Sequence, residues 1–320
     1  RVPIDLKSHF EENTTKNVKD FAGWPSGSQG TLLRESHHIE QIFTPQLKNI
    51  YTYITAPSTE SSYRLIWDTV APQFFIPFDR GYEFYRNPKE TRYLHVDQAE
   101  AKDMASISMV HPETTTDGKM VYVTDFTLAI SPEKDRINLD AIRLFVEDLQ
   151  KLGGIKIGQI TFDQWQSSAT LQYFREQGMP AQKLSVDQPM KVYMTYVSMI
   201  KSDRIRVGRN IFLKNNLKSL QEVKLSSGNK KIDHTKGKLI YEDGGQWENS
   251  QMGKFAKDVA DSHCGAVWNA IHHHTTAPMY VFEERKPDAQ TGKTESYKDF
   301  VKGKMKKQIA EKYGLEGRNK

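Results

Sequence analysis

Asp97 closes the segment RYLHVDQ, Asp163 closes IKIGQITFD, and Asp258 and Asp261 stand three residues apart in KDVADSHCGAV. A carboxylate is a hard oxygen donor, and several of them gathered without basic partners repel one another unless a divalent cation lies among them. Mg²⁺ or Mn²⁺ suits such donors, and two ions roughly 3.5–4 Å apart stabilise both the attacking and the leaving oxygen of an in-line phosphoryl displacement. Asp97 as the bridge, with Asp163 and Asp258 each completing one ion's shell, is the economical arrangement, and Asp261 is a candidate fourth ligand. Each residue also has a plainer reading. Asp97 suits a strand-end Asx turn, Asp163 the N-cap of a helix beginning near Ser167, and Asp258 the complement to a helix N-terminus. Their order, strand then strand then helix, is the informative part.

These carboxylates meet only if the elements carrying them do. RYLHVDQ (92–98) alternates as a strand, with Tyr93, His95 and Asp97 on one face and Leu94 and Val96 on the other. MASISMVH (104–111) and MVYVTDFTLAI (120–130) read as two more strands separated by a turn containing Asp117 and Gly118, which predicts an antiparallel meander. Residues 138–154 place Ile142, Phe145, Val146, Leu149 and Leu152 at helical spacing, and Gly153-Gly154 supplies the stop. A fourth strand, 155–163, follows. A strand, a crossover helix and a new strand make a right-handed parallel unit, so the fourth strand is expected beside the first. Asp97 and Asp163 then lie side by side at the C-terminal edge of the sheet, where open α/β sheets gather their chemistry. Further helices are expected at 168–177, 189–200 and 210–223. A last one, from about 257 to 271, buries Ala260, Cys264, Val267 and Ile271 as a stripe, which makes Cys264 a packing residue.

The charge pattern names a partner. Formal net charge is +5, yet residues 201–231 hold nine Lys/Arg against two acids, and the tail from Lys298 holds eight against three. A basic stripe beside an otherwise acidic remainder fits a polyanion partner with a separate carboxylate site. Lys201, Arg204, Arg206, Arg209, Lys230 and Lys231 are the candidate contacts to a DNA backbone. A single cysteine excludes an internal disulfide and a cysteine-rich zinc site. No apolar run has the length of a membrane span and the first residues lack a targeting pattern, so an intracellular protein is expected. A chain starting at Arg1 rather than Met fits a fragment of something longer. Residues 1–90, rich in Pro, Ser and aromatic residues, read as an irregular linker subdomain, and 91–320 as the main domain with its basic tail.

Other constellations are weaker. PDAQTGKT (287–294) has Pro287 where a phosphate loop needs its first glycine, so no nucleotide site is expected there. His272, His273 and His274 point about 100° apart on a helix and cannot chelate one ion from it. His95 and His234 read as hydrogen-bonded structural histidines, and Trp165 as a packing residue. No HExxH, GxSxG or Cys-His nucleophile arrangement is present.

Taken in order, RYLHVDQAEAKDMASISMVH, IGQITFDQWQSSATLQYFREQGM, KIDHTKGK and GKFAKDVADSHCGAV span roughly residues 90–275. In that order they resemble the nuclease domain of the large terminase subunit, the DNA-packaging motor of tailed bacteriophages, which has a ribonuclease-H-like fold. The resemblance implies an α/β fold with a mixed five-stranded sheet flanked by helices. It implies Asp97, Asp163 and Asp258 as metal-binding catalytic acids, with Asp261 as a possible fourth ligand and two Mg²⁺ or Mn²⁺ ions as cofactors. It further implies cleavage of concatemeric double-stranded DNA in the host cytoplasm, with a portal protein, a small terminase subunit and an ATPase domain as partners. Residues 1–90 are similar in style to the segment joining motor ATPase to nuclease, and no ATPase is expected in this chain. Two positions depart from the family pattern: Asp233-His234-Thr235 replaces the usual Asp-His-Pro, and Ser262 stands where Ala is common. Alternatives are another ribonuclease-H-like enzyme, a transposase or resolvase, or a noncatalytic DNA-binding or docking module of a packaging complex. A transposase commonly carries Glu as its last helical acid, whereas this helix offers Asp258 and Asp261.

Overall fold

The computed structural model describes residues 32–33, 36–48, 51–59, 61–78, 81–98, 104–134, 136–163, 168–187, 190–225, 228, 230–234 and 257–274. The chain falls into two units, Arg1–Pro278 and Met279–Lys320. The second unit, with the PDAQTGKT segment and the basic tail, lies outside the described residues, as do Trp165 and residues 235–256.

The meander forms as the alternation predicts. β4 (Thr91–Asp97) pairs antiparallel with β5 (Ala105–Thr114), which pairs antiparallel with β6 (Met120–Pro132). α3 (Leu139–Lys151) is capped by Asn138, whose side chain accepts from the backbone N–H groups of Asp140 and Ala141. It ends where Gly154 takes φ +62°, a left-handed conformation that favours glycine. The chain then re-enters the sheet as β7 (Lys156–Phe162), parallel to β4.

The sheet is larger than the five strands expected from the sequence. β1 (Tyr51–Ala56) runs parallel to β6 at one edge, and β8 (Ala181–Lys183) runs parallel to β7 at the other. β9 (Ile205–Arg206) also lies on β6 and is too short to carry a readable alternation. The order is β1-β6-β5-β4-β7-β8 with β9 off that path, seven strands among the described residues. The inner order 6-5-4-7-8, with only β5 antiparallel to the rest, is the ribonuclease-H-like topology. Before β4 the chain supplies α1 (Ser36–Gln41), β1, α2 (Ser61–Phe74) and a small hairpin of β2 (Phe75–Phe78) and β3 (Gly81–Phe84). The segment expected to be a linker thus contributes an edge strand and a helix to the same unit.

Helices cover both faces. Leu94, Val96 and Ile107 join Ile142, Phe145 and Val146 of α3, Phe74 of α2 and Phe174 of α4 (Ser168–Glu176) in one buried cluster. Tyr93, on the opposite face of β4, joins the second cluster with Tyr193 and Ile200 of α5 (Lys191–Lys201), Leu213 of α6 (Ile211–Ser219) and Val267 of α7 (Asp258–His273). One departure concerns 210–223: α6 stops at Ser219, and β10 (Leu220–Lys224) continues into a hairpin with β11 (Lys230–His234). The alternation in LQEVK outweighs the helical spacing. No helix among the described residues is long and apolar enough to cross a membrane.

Candidate metal-binding edge

Register places the aspartates before any side chain is considered. Val96 of β4 pairs with Phe162 of β7, and the Asp163 N–H reaches the Val96 carbonyl at 3.3 Å, so Asp97 and Asp163 leave adjacent parallel strands together. On its other side Asp97 pairs with Ser106 of β5. Ser106 Oγ donates to the Asp258 carbonyl at 2.8 Å, which fixes the first residue of α7 against that same edge.

The rest of α7 is seated by small and polar groups. Ser108 and Ser262 hydroxyls lie 2.8 Å apart. A Cβ added to Gly265 would stand 2.3 Å from Cγ of His95, so only glycine lets the helix rest on that ring. His95 Nδ1 is 2.7 Å from Thr161 Oγ1, and Asn269 Nδ2 donates to Thr161 Oγ1 and to the Leu94 carbonyl, each at 2.7 Å. His263 bridges Thr124 Oγ1 at 2.7 Å and the Tyr196 hydroxyl at 2.6 Å. Burial lowers the pKa of both His95 and His263 to about 3, so the two imidazoles stay neutral and act as spacers. The helix is buried almost all round from Val259 to Val267, not along one apolar stripe, and Cys264 is fully buried within it.

The crowding has electrostatic consequences. Burial first, and then the charges of Asp261, Asp258 and Asp163, hold the Asp97 carboxyl well above the usual carboxylate range, with Lys257 acting in the opposite direction. Burial also lifts Asp261 to about 6, against the lowering effect of Lys257 and Tyr193. Tyr193 donates its hydroxyl to one Asp261 oxygen, and Lys257 Nζ lies 2.7 Å from the other. Lys257 Nζ is also 3.3 Å from Asp187. Burial alone would make that ammonium easier to deprotonate, but Asp261 and Asp187 outweigh it and raise its pKa. Neither Lys257 nor Asp187 stands out in the sequence; the available signal was Lys257 four residues before Asp261. Among the described residues, no three His, Cys, Asp or Glu side chains are arranged so that they could hold an ion as they stand. The aspartates share an edge without sharing a coordination sphere.

The candidate DNA-binding cations divide between the two ends of the sheet. Lys230 and Lys231 lie on β11, whose Ile232 N–H donates to the Asp187 carbonyl at 3.3 Å, on the carboxylate side. Each is already paired, Lys230 with Glu222 at 2.5 Å and Lys231 with Asp233 at 2.7 Å. Lys201, Arg204, Arg206 and Arg209 surround β9, which pairs with Tyr122 and Val123 at the start of β6. The Asp97 partner Ser106 pairs instead with Ala129. The Asp97 edge and β9 are therefore separated by seven residues of β6, roughly 23 Å at the rise of a strand. Arg206 is clamped by Asp203 through contacts of 2.7 and 2.9 Å, while Lys201 and Arg209 are exposed.

A buried ion network that the sequence reading missed occupies the end of β4 and β5 remote from the aspartates. Arg92 and Asp125 are both fully buried, 3.4 Å apart, and His111 Nδ1 lies 2.9 Å from Asp125. His111 Nε2 is 3.0 Å from Glu113, which also receives Arg86 at 2.8 Å. A charged residue within the apolar run VYVTDFTLAI was the available signal for it. Beside it is a cavity of about 600 Å³ lined by Arg86, Asn87, Glu90, Pro112, Glu113, Thr114, Met120 and His274, none of them among the aspartates of the opposite edge.

No protein-family model and no curated protein matches the chain. The solved structures that it resembles include phage large terminases and large terminase nuclease domains. One is the large terminase nuclease of thermophilic phage G20c with bound magnesium, 12% identical, with a TM-score of 0.42, covering 75% of this chain and 97% of that one. The HK97 bacteriophage large terminase is 14% identical with a TM-score of 0.40, and the match covers 67% of this chain but 44% of that one. The Thermus phage P74-26 large terminase nuclease domain is 13% identical with a TM-score of 0.39, covering 60% and 88%.

Proposed function

We propose that this chain is a divalent-metal-dependent DNA endonuclease acting in viral genome packaging, in the host cytoplasm, as part of a machine that includes an ATPase, a portal and a small terminase subunit. The observation that carries the hydrolytic reading is the gathering of Asp97, Asp163, Asp258 and Asp261, from two strands and a helix, close enough that the other three raise the pKa of Asp97. At Asp97, burial and these like charges together outweigh the opposing effect of Lys257. Proteins keep arrangements of this kind where function requires them.

The donor set fits Mg²⁺ or Mn²⁺: carboxylate oxygens, with His95 Nδ1 and both ring nitrogens of His263 engaged by hydroxyls and the Cys264 thiol buried and pushed up in pKa. Asp97, Asp163 and Asp258 would hold the ions, with Asp261 as a possible fourth ligand. Two bound ions supply activation of the attacking water and neutralisation of the departing 3′ oxygen. Ser106, Ser262 and Gly265 hold α7 in register, and Tyr193 keeps Asp261 aimed at the edge. Lys230 and Lys231 contact the DNA backbone near the cut, and Lys201, Arg204, Arg206 and Arg209 contact it further along the duplex, giving sequence-tolerant, salt-sensitive binding.

Incubation with supercoiled plasmid in Mg²⁺, Mn²⁺ or EDTA tests the reading. Nicked and linear products are expected with either metal and none in EDTA, while Asp163→Ala abolishes them and leaves DNA binding intact. Nicking that persists in EDTA, or in Asp163→Ala, would remove the aspartates from the reaction.

A further inference from the structure

We infer that Lys257 is a resident counter-cation, its ammonium occupying Asp261 when no divalent ion is bound and withdrawing to Asp187 when one binds. The inference rests on the cation-dependent reading above and adds the residue that regulates the site's affinity. Lys257 is the N-cap residue of α7, yet its side chain turns back into the protein: it is 17% exposed and Asp261 is 8% exposed, so their 2.7 Å contact is no ordinary surface pair. The same ammonium is 3.3 Å from Asp187, a residue of the segment after β8 whose carboxylate is 29% exposed.

The two groups on Asp261 differ in what they tolerate. The Tyr193 hydroxyl is neutral and can go on donating to a carboxylate that also faces a cation. An ammonium cannot remain there at no cost, because a divalent ion a few ångströms away repels it strongly in a site shielded from water. Asp187 resolves the conflict. It offers a second carboxylate already in contact, so Lys257 can leave Asp261 without becoming a buried unpaired charge. The Asp187 carbonyl accepts from Ile232 of β11, so the acceptor is itself anchored to the basic hairpin.

Two measurements on the intact chain test this. Amine labelling of the unaltered protein, read at the Lys257 peptide by mass spectrometry, should rise several-fold on saturation with Mg²⁺. Mn²⁺ titration calorimetry of Lys257→Gln should show affinity tightened on the order of tenfold, the range that groups contacting metal ligands command. Labelling unchanged by Mg²⁺, or Lys257→Gln binding Mn²⁺ no more tightly than wild type, would overturn the inference while leaving the metal site standing. A wild-type protein that binds no Mn²⁺, or binds it as Asp97→Asn does, would instead overturn the cation-dependent reading and this inference with it. The labelling arm needs no variant and holds even if Lys257→Gln folds poorly.

Discussion

Asn at position 97 keeps the shape of the side chain and removes its charge, which separates the two demands on this residue. Burial and three neighbouring aspartates already push the Asp97 carboxyl toward protonation, so ionising it costs the fold free energy at neutral pH. Asp97→Asn is therefore expected to raise stability in EDTA by about 1 kcal/mol or more, to lose the stabilisation that wild type gains from added Mn²⁺, and to lose cleavage. Urea unfolding with and without Mn²⁺ reads the first two. Equal stability of variant and wild type in EDTA would show that the repulsion is relieved some other way. That Asp97 and Asp163 leave neighbouring strands at one edge was legible in the sequence because strand alternation and the right-handed crossover rule together fix which ends of which strands are neighbours. Lys257 and Asp187 were not, because a lysine beside an acid on a helix reads as a solvated pair until its burial is known.

At the scale of elements, the site depends on how closely α7 lies on β4, β5 and β7. Gly265 rests against the His95 ring, and its replacement by Ala places a methyl group inside that ring's contact distance. Overpacking of this kind costs about 1–3 kcal/mol. Gly265→Ala is expected to lower the melting temperature and, by lifting the helix that carries Asp258 and Asp261, to weaken Mn²⁺ binding. Calorimetry checks both, and a loss of stability with Mn²⁺ affinity intact would mean that the strain is absorbed at the C-terminal half of the helix. The seat of α7 was invisible in the sequence: Ser106, Ser108, Ser262 and Asn269 are far apart in the chain, and small polar residues carry no periodic signal. The main strands and helices were legible because their apolar spacing is long and regular. β9 has two residues and no spacing to read, while LQEVK was drawn into a helical pattern by its neighbours.

At the opposite end of the same strands, the buried ion network sets how stability depends on pH. Glu113 is lowered to about 2, first by its hydrogen bond with His111, whose effect together with that of Arg86 exceeds that of burial. A carboxylate whose pKa is depressed on folding contributes stability that is complete above the ordinary value near 4.5 and is lost as pH falls toward 2. His111 works in the other sense: burial lowers its pKa, but Asp125 and Glu113 outweigh burial and raise it, so its contribution is complete below 6.5 and declines as pH rises through the raised folded value. Glu113→Gln should flatten the acid limb of stability between pH 4.5 and 2 in urea unfolding, and an unchanged acid limb would exclude this network as its source.

For the whole molecule acting as the nuclease proposed above, the distance between the aspartate edge and β9 sets how a duplex can lie. Roughly 23 Å along β6 between the aspartate edge and β9 corresponds to about seven base pairs of B-form DNA, so one duplex crossing the sheet end to end can meet both. The contributions of the two ends differ because their free charge differs. Lys230, Lys231 and Arg206 already sit on Glu222, Asp233 and Asp203, whereas the exposed Lys201 and Arg209 show no ion pair among the described residues. A cation that must leave a carboxylate to meet a phosphate gains less than one that exchanges only water. Replacing Lys201 and Arg209 together by Ala should therefore weaken duplex binding more than replacing Lys230 and Lys231. It should also reduce the slope of log affinity against log salt by about one for every phosphate the variant no longer neutralises. Because these residues stand far from the aspartates, the single-turnover cleavage rate at saturating DNA should hold in the Lys201/Arg209 variant and fall in the hairpin variant. Fluorescence anisotropy over a salt series and rapid-quench cleavage measure the two quantities separately. A Lys201/Arg209 variant with an unchanged salt slope would confine the DNA to the carboxylate end of the sheet.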